Sequence, residues 1–185
     1  MNQAMIEAAV RQILEGIGED LGRAGLRDTP RLVAEAAGKI LSGYGRDPRQ
    51  AVEVIEGPDE IVLLQDVPFF SVCEHHLLPF FGTADVALLP DGGRIAGFGS
   101  LADLVDAAAR RLQIQERLTS EIADALEAAL KPQGIYVALR ARQLCMQMPE
   151  GKSLGTETRT LVVRGAFLEE PARGELQALL AGGSR

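Results

Sequence analysis

Apolar side chains recur at helical spacing over residues 3 to 15 and again over roughly 29 to 42, where Val33, Ala36, Ala37, Ile40 and Leu41 share a face. Two amphipathic helices are predicted. Asp28-Thr29-Pro30 starts the second, because proline is tolerated in a first turn and Asp or Thr can cap it, and Gly43, Gly45 and Pro48 break it. From Ile61 the pattern changes to strands: Ile61 to Leu64, Gly82 to Leu89, and a short piece from Arg94 after the turn Pro90-Asp91-Gly92-Gly93. Residues 100 to 112 and 117 to 130 return to helical spacing, with Leu101, Leu104, Val105, Ala108 and Leu112 on one face and Leu118, Ile122, Ala125, Leu126 and Ala129 on the other's. Two more strands are predicted, Ile135 to Met148 and about Thr156 to Phe167, joined at Pro149-Glu150-Gly151-Lys152. The chain therefore reads as α+β: an N-terminal helical region (1–58), a domain of strand pairs flanking two helices (59–170), and a weakly docked tail (171–185), together one functional domain.

Composition narrows the class. At 46% hydrophobic and 24% charged residues the chain has the balance of a folded globular protein. Its net charge of −7 argues against nucleic acid or an anionic membrane as partner, since either attracts a basic face. No apolar run approaches the ~20 residues that cross a bilayer, and Met1-Asn2-Gln3 does not open an export signal, so a cytoplasmic location is expected.

Only two cysteines and two histidines occur, and Cys73-Glu74-His75-His76 with distant Cys145 uses all four. Cysteine thiolates and imidazole are zinc ligands, and three of them leave a tetrahedral ion one open position for chemistry. Cys73, His76 and Cys145 are the candidate ligands, the first two meeting at i,i+3 if residues 73 to 76 turn. Strand alternation places Leu139, Ala141, Gln143 and Cys145 on one face, so Gln143 rather than Arg140 or Arg142 faces the metal. A buried core cysteine and a satisfied histidine have the same spacing. His75 cannot easily bind the same ion; it is either a proton donor and acceptor or a surface histidine in a loop. Glu74 is either a partner that orients an imidazole or an exposed carboxylate.

The runs Val72-Cys73-Glu74-His75-His76-Leu77-Leu78-Pro79-Phe80 and Arg110 to Thr119 (RRLQIQERLT), with Leu144-Cys145-Met146, Gly25-Leu26 and Thr29-Pro30 in order, resemble GTP cyclohydrolase I from about Gly25 to Phe167. The resemblance implies the tunnelling fold, two antiparallel hairpins with helices between them, assembled as a homodecamer of two stacked pentamers with sites between subunits. It implies Zn2+ on Cys73, His76 and Cys145, attack of zinc-bound water on a purine, and His75 as acid and base. It places Glu116 on the guanidine-like edge of the heterocycle, with Gln115, Phe98 and Ile114 as further substrate contacts and Gln143 at a catalytic position.

Departures from the family pattern concentrate on one function. Gly-Leu-Ser-Lys-x-x-Arg becomes Gly97-Phe98-Gly99-Ser100 with Asp103, Leu32 takes the basic slot of Thr-Pro-x-Arg, and Pro149 replaces an arginine. Four cations that grip a triphosphate are absent. Arg31, Lys152 and Arg159 are the candidates to compensate, although a one-residue shift turns a helical side chain by about 100°. Gln143 replaces a second catalytic histidine and does not titrate. The expected function is a zinc-dependent cyclohydrolase opening the imidazole ring of a guanine- or pterin-like heterocycle without a triphosphate. Authentic GTP cyclohydrolase I, making dihydroneopterin triphosphate and formate, and a silent pterin-binding or assembly paralogue are the alternatives.

Overall fold

The two N-terminal helical stretches form α1 (Gln3–Gly16) and α2 (Thr29–Ile40) in the computed structural model, which describes residues 1–149 and 155–182. The Asn2 side chain accepts from the Met5 amide at 3.1 Å and caps α1. At α2 neither Asp28 nor Thr29 caps; the Thr29 hydroxyl donates to the Gly25 carbonyl at 3.4 Å. Helices α1 and α2 pack on each other within a first unit, Met1–Ser42.

The second unit is Gly43–Arg185, so the boundary expected at residue 58 falls inside it. The physical reason starts at Gly43, whose amide donates to the Arg110 carbonyl at 2.8 Å and where a Cβ would stand 2.6 Å from the Ala107 carbonyl oxygen. Pro48–Ala51 adds a 3-10 turn, and β1 (Val54–Glu56) pairs with β4 (Arg94–Ala96).

The main sheet contains β2 (Val62–Cys73), β3 (Pro79–Leu89), β5 (Leu112–Gln113), β6 (Gly134–Gln143) and β7 (Thr158–Gly165), in the order β5-β2-β3-β6-β7. Only the short β2/β5 pairing is parallel. The strand expected to stop at Leu64 continues to Cys73. A register irregularity between Leu64 and Val67, with Asp66 at φ 56°, breaks the alternation that marks a strand; the Asp66 amide is held by Asp85 Oδ1 at 2.9 Å. Pro68 is tolerated because β5 pairs β2 only at Val72 and Cys73, leaving the strand an edge at the proline.

Between the hairpins β2–β3 and β6–β7 lie α3 (Phe98–Ala109) and α4 (Gln115–Leu130), the tunnelling-fold order. Leu101, Leu104 and Val105 of α3 and Leu118, Ile122 and Leu126 of α4 are buried against Phe69, Val86, Val137 and Leu139 of the sheet. The opposite face carries a smaller cluster of Ala87, Phe167 and Leu176. Leu176 belongs to α6 (Ala172–Gly182) and is 3% exposed, which corrects the weakly docked tail: most of it is a packed helix. Residues 183 to 185 of that tail, and the expected turn at Glu150-Gly151-Lys152, lie outside the described residues.

Strand β6 also ends earlier than expected. Leu144–Gln147 is a single helical turn, α5, closed by the Met148 amide on the Leu144 carbonyl at 2.9 Å. Cys145 therefore sits on a turn rather than in the strand.

Candidate metal centre and its cavity

Strand β2 delivers Cys73 to a tight turn. The Leu77 amide donates to the Cys73 carbonyl at 2.9 Å, the Cys73 amide donates to the Leu78 carbonyl at 2.8 Å, and Leu77 takes φ 54° to close it. The turn brings His76 Nδ1 to 3.9 Å and His75 Nδ1 to 4.0 Å from Cys73 Sγ. Turn α5 supplies Cys145, and the ligand atoms of Cys73, His76 and Cys145 all lie within 4.8 Å of one another. Atoms ~2.0–2.3 Å from one zinc ion are about 3.3–3.8 Å apart in a tetrahedron, so the donor set fits that ion and its spacing needs to close by about 1 Å at most. Burial raises the Cys73 thiol, but the His76 side chain, the His75 and His76 amides and the Cys145 thiol outweigh it and bring Cys73 down. Cys145 is pushed up, by burial and then by Cys73. One sulfur is predisposed to be thiolate, and a cation would draw off the second proton.

Glu74 is tied to a residue that sequence reasoning left unassigned. Arg117 Nη2 of α4 donates to Glu74 Oε2 at 2.5 Å, while Arg117 Nε donates to Gln113 Oε1 at 2.9 Å and the Gln113 carbonyl accepts the Glu74 amide at 3.1 Å. Glu74 Oε1 stands 3.9 Å from His75 Nε2, an ion-pair distance rather than a hydrogen bond. The Arg117 hydrogen bond, opposed by burial, holds the Glu74 carboxyl below its ordinary range, so the pair survives acidification through that range and breaks only below it. The one signal for Arg117 was its place inside the run from Arg110 to Thr119. Arg117→Ala is expected to loosen the turn that carries Cys73 and His76 and to weaken divalent-metal affinity, by less than the about 10–100-fold that losing a direct hydrogen-bond partner of a ligand costs. Competition with a chromophoric chelator measures it, and unchanged affinity would deny the anchor.

Beside the ligands opens a cavity of about 460 Å³ lined by Cys73, His75, Phe80, Gln113, Ile114, Gln115, Glu116, Gln143, Cys145, Met146 and Thr158 to Thr160. The structure thus brings His75, Ile114, Gln115, Glu116 and Gln143 together with two of the ligands. Phe98 is not in this wall: it begins α3 and is 63% exposed. Glu116 is exposed in the first turn of α4, where a carboxylate is favoured by the helix dipole. Gln115 is buried and its amide is engaged within the chain, donating to the Leu139 carbonyl, the Thr158 carbonyl and Thr160 Oγ1 at 3.2, 3.3 and 3.2 Å. Its oxygen accepts from Gln143 Nε2 at 2.7 Å and from Thr158 Oγ1 at 2.5 Å. The Gln143 Oε1 lies 3.9 Å from Cys145 Sγ.

Arg159 is the one lysine or arginine among the described lining residues. Ser100 is buried and donates to the Gly97 carbonyl at 2.8 Å, Leu32 is half exposed, and Arg31 pairs with Glu35 at 2.7 Å. Lys152 lies outside the described residues.

Comparison with known proteins agrees with this arrangement. The GTP cyclohydrolase I family model matches residues 6–180. The chain is 47% identical over 180 residues to GTP cyclohydrolase 1 of Halalkalibacterium halodurans, covering 96% of each. It is 46% identical over 183 residues to that of Geobacillus kaustophilus, with 97% of each covered, and 45% identical over 185 residues to that of Geobacillus sp. (strain WCH70), with 98% of each covered. Sequence runs, hairpin-helix-helix-hairpin order and a Cys-His-Cys group that joins the end of β2 to turn α5 thus converge, and the chain belongs to the GTP cyclohydrolase I family.

Proposed function

We propose that this chain is a zinc-dependent cyclohydrolase that opens the five-membered ring of a guanine-like heterocycle on a substrate without a triphosphate. The observation that carries the reading is the cluster of Cys73, His76 and Cys145 at the wall of a cavity that also holds His75 and Glu116. Bound by those three side chains, a zinc ion would supply Lewis acidity and hydroxide at neutral pH. Glu116 is suited to accept two N–H bonds from the guanidine-like edge, the strong geometry for a carboxylate. Ring opening begins with water adding across N7=C8, oxygen to C8 and proton to N7, followed by cleavage of the C8–N9 bond as the C8 hydroxyl proton passes to N9, which leaves a formamide on N7. His75, next to a ligand but free of the ion, is the group placed to carry the proton to N7.

A cavity with one lining cation among the described residues is poorly matched to a triphosphate, because each charge-assisted contact contributes about 1.5–3 kcal/mol. GTP itself is the second reading, favoured by relatives of that name at 45–47% identity. Assembly as a homodecamer of two stacked pentamers, with sites completed between subunits, and a cytoplasmic location go with either reading. Among the described residues no helix is long and apolar enough to cross a membrane.

Incubating the zinc-loaded protein with GTP, guanosine, guanine and reduced pterins, with formate assay and mass spectrometry, separates the two. Turnover of guanosine or guanine in preference to GTP is expected; efficient GTP turnover would replace the first reading by the second. His75→Ala should lower turnover by on the order of a hundredfold with zinc retained. Unchanged turnover would remove His75 from the chemistry.

A further inference from the structure

The hydrogen bonds of two glutamines determine what the cavity meets at its reacting end. Gln115 Nε2 reaches the Leu139 and Thr158 carbonyl oxygens, which only accept, so this end of the amide is the nitrogen and the other is the oxygen. The group at 2.7 Å from that oxygen must then donate, and it belongs to Gln143: the Gln143 nitrogen therefore points at Gln115. Its second hydrogen is directed at Thr158 Oγ1, 3.3 Å away. Both donors of Gln143 are used, and its oxygen is left beside Cys145. That sulfur contact is long, 3.9 Å, and engages at most one of the oxygen's two lone pairs, so an acceptor remains available at a residue that lines the cavity.

We infer that Gln143 is a specificity-determining residue: a fixed, non-titrating hydrogen-bond acceptor at the reacting edge, held in orientation by Gln115 as a positioning residue. The inference rests on the reading of the substrate as a guanine-like heterocycle. A neutral purine presents N7 as a lone pair, which meets the Gln143 oxygen unfavourably. Addition of water across N7=C8 creates an N7–H and a C8–OH, both donors. The acceptor is thus mismatched to the ground state and matched to the hydrated ring, the selectivity that accelerates a reaction. A residue that both donates and accepts there, such as histidine, does not impose this choice.

Guanosine, with N7 unprotonated, and 8-oxo-7,8-dihydroguanosine, with N7–H, are the probes, and calorimetric dissociation constants on the zinc-loaded protein in a His75→Ala background, where guanosine is consumed on the order of a hundredfold more slowly, are the readout. Gln143→Leu should lower the preference for the oxo compound, expressed as the ratio of the two constants, by about tenfold, the worth of one hydrogen bond. Gln115→Leu, which keeps Gln143 and removes the amide that orients it together with that amide's bonds to Leu139, Thr158 and Thr160, should lower the same ratio. Zinc content and melting temperature show that each variant is folded. A ratio that moves less than about threefold in Gln143→Leu overturns the inference and leaves the proposed function intact. Failure of either compound to bind the native zinc-loaded chain overturns the guanine reading, and this inference with it.

Discussion

Cys145→Ala is expected to empty the metal centre and lower ring-opening turnover by on the order of a thousandfold, about 4 kcal/mol of transition-state stabilisation. Two ligands would remain, Cys73 and His76, both from one turn, and no described Asp, Glu or Cys completes the group in place of Cys145. Cys145 is partly exposed on the single turn α5, after the last ladder position of β6, so its loss should leave the sheet undisturbed. Melting temperature should change little while zinc content, measured by atomic absorption, falls to background. Chelation of the native protein should give the same inactive, folded state, and zinc should restore only the native chain. Undiminished turnover in the metal-free variant would show that the Cys-His-Cys group has no part in the reaction.

Gly82→Ala should have the largest effect on stability, a loss of about 4 kcal/mol or more, in the range that single substitutions reach only by a specific structural fault. Gly82 lies in β3 between Phe69 of β2 and Ala141 of β6. A Cβ there would fall 1.8 Å from the Arg140 carbonyl oxygen and 2.7 Å from the Ala141 Cα. Both are backbone atoms of a paired strand, so neither a rotamer change nor a side-chain shift relieves the overlap, and β3 and β6 must separate. The damage also reaches the site, since the same two strands pair Phe80 with Gln143. Gly99→Ala is the control: nothing lies within 4 Å of its Cβ position, and it sits in α3, where alanine is the better helix former. Urea unfolding of the two variants checks the contrast. Equal stability would mean that the β3–β6 approach is softer than its geometry implies.

Helices α2, α3 and α4 were legible because an amphipathic helix repeats its apolar face every few residues, a signal wholly contained in the local sequence. The alternation through Leu139, Ala141 and Gln143 likewise predicted which side of β6 meets the ligands. Strand β2 was seen only to Leu64, because Asp66 and Pro68 interrupt its pattern and the strand is rescued by the Asp85 carboxylate, 19 positions away. Helix α6 is not legible in the local sequence because its stability comes from Leu176 docking on Phe167 and Ala87, which no local period announces.

The order of residues by itself determined helices α1 to α4, the strand pairs around α3 and α4, and the family, and it named the trio Cys73, His76 and Cys145 as candidate ligands, because periodicity and rare ligand chemistry are properties of short stretches or of residue identity. Only the tertiary structure decided that Arg117 grips Glu74 across 43 positions and that Gln115 orients Gln143 across 28. Hydrogen bonds are directional and depend on which groups the packed sheet brings within 3 Å. A glutamine's identity says that it can donate and accept; its neighbours in the fold decide which end it offers.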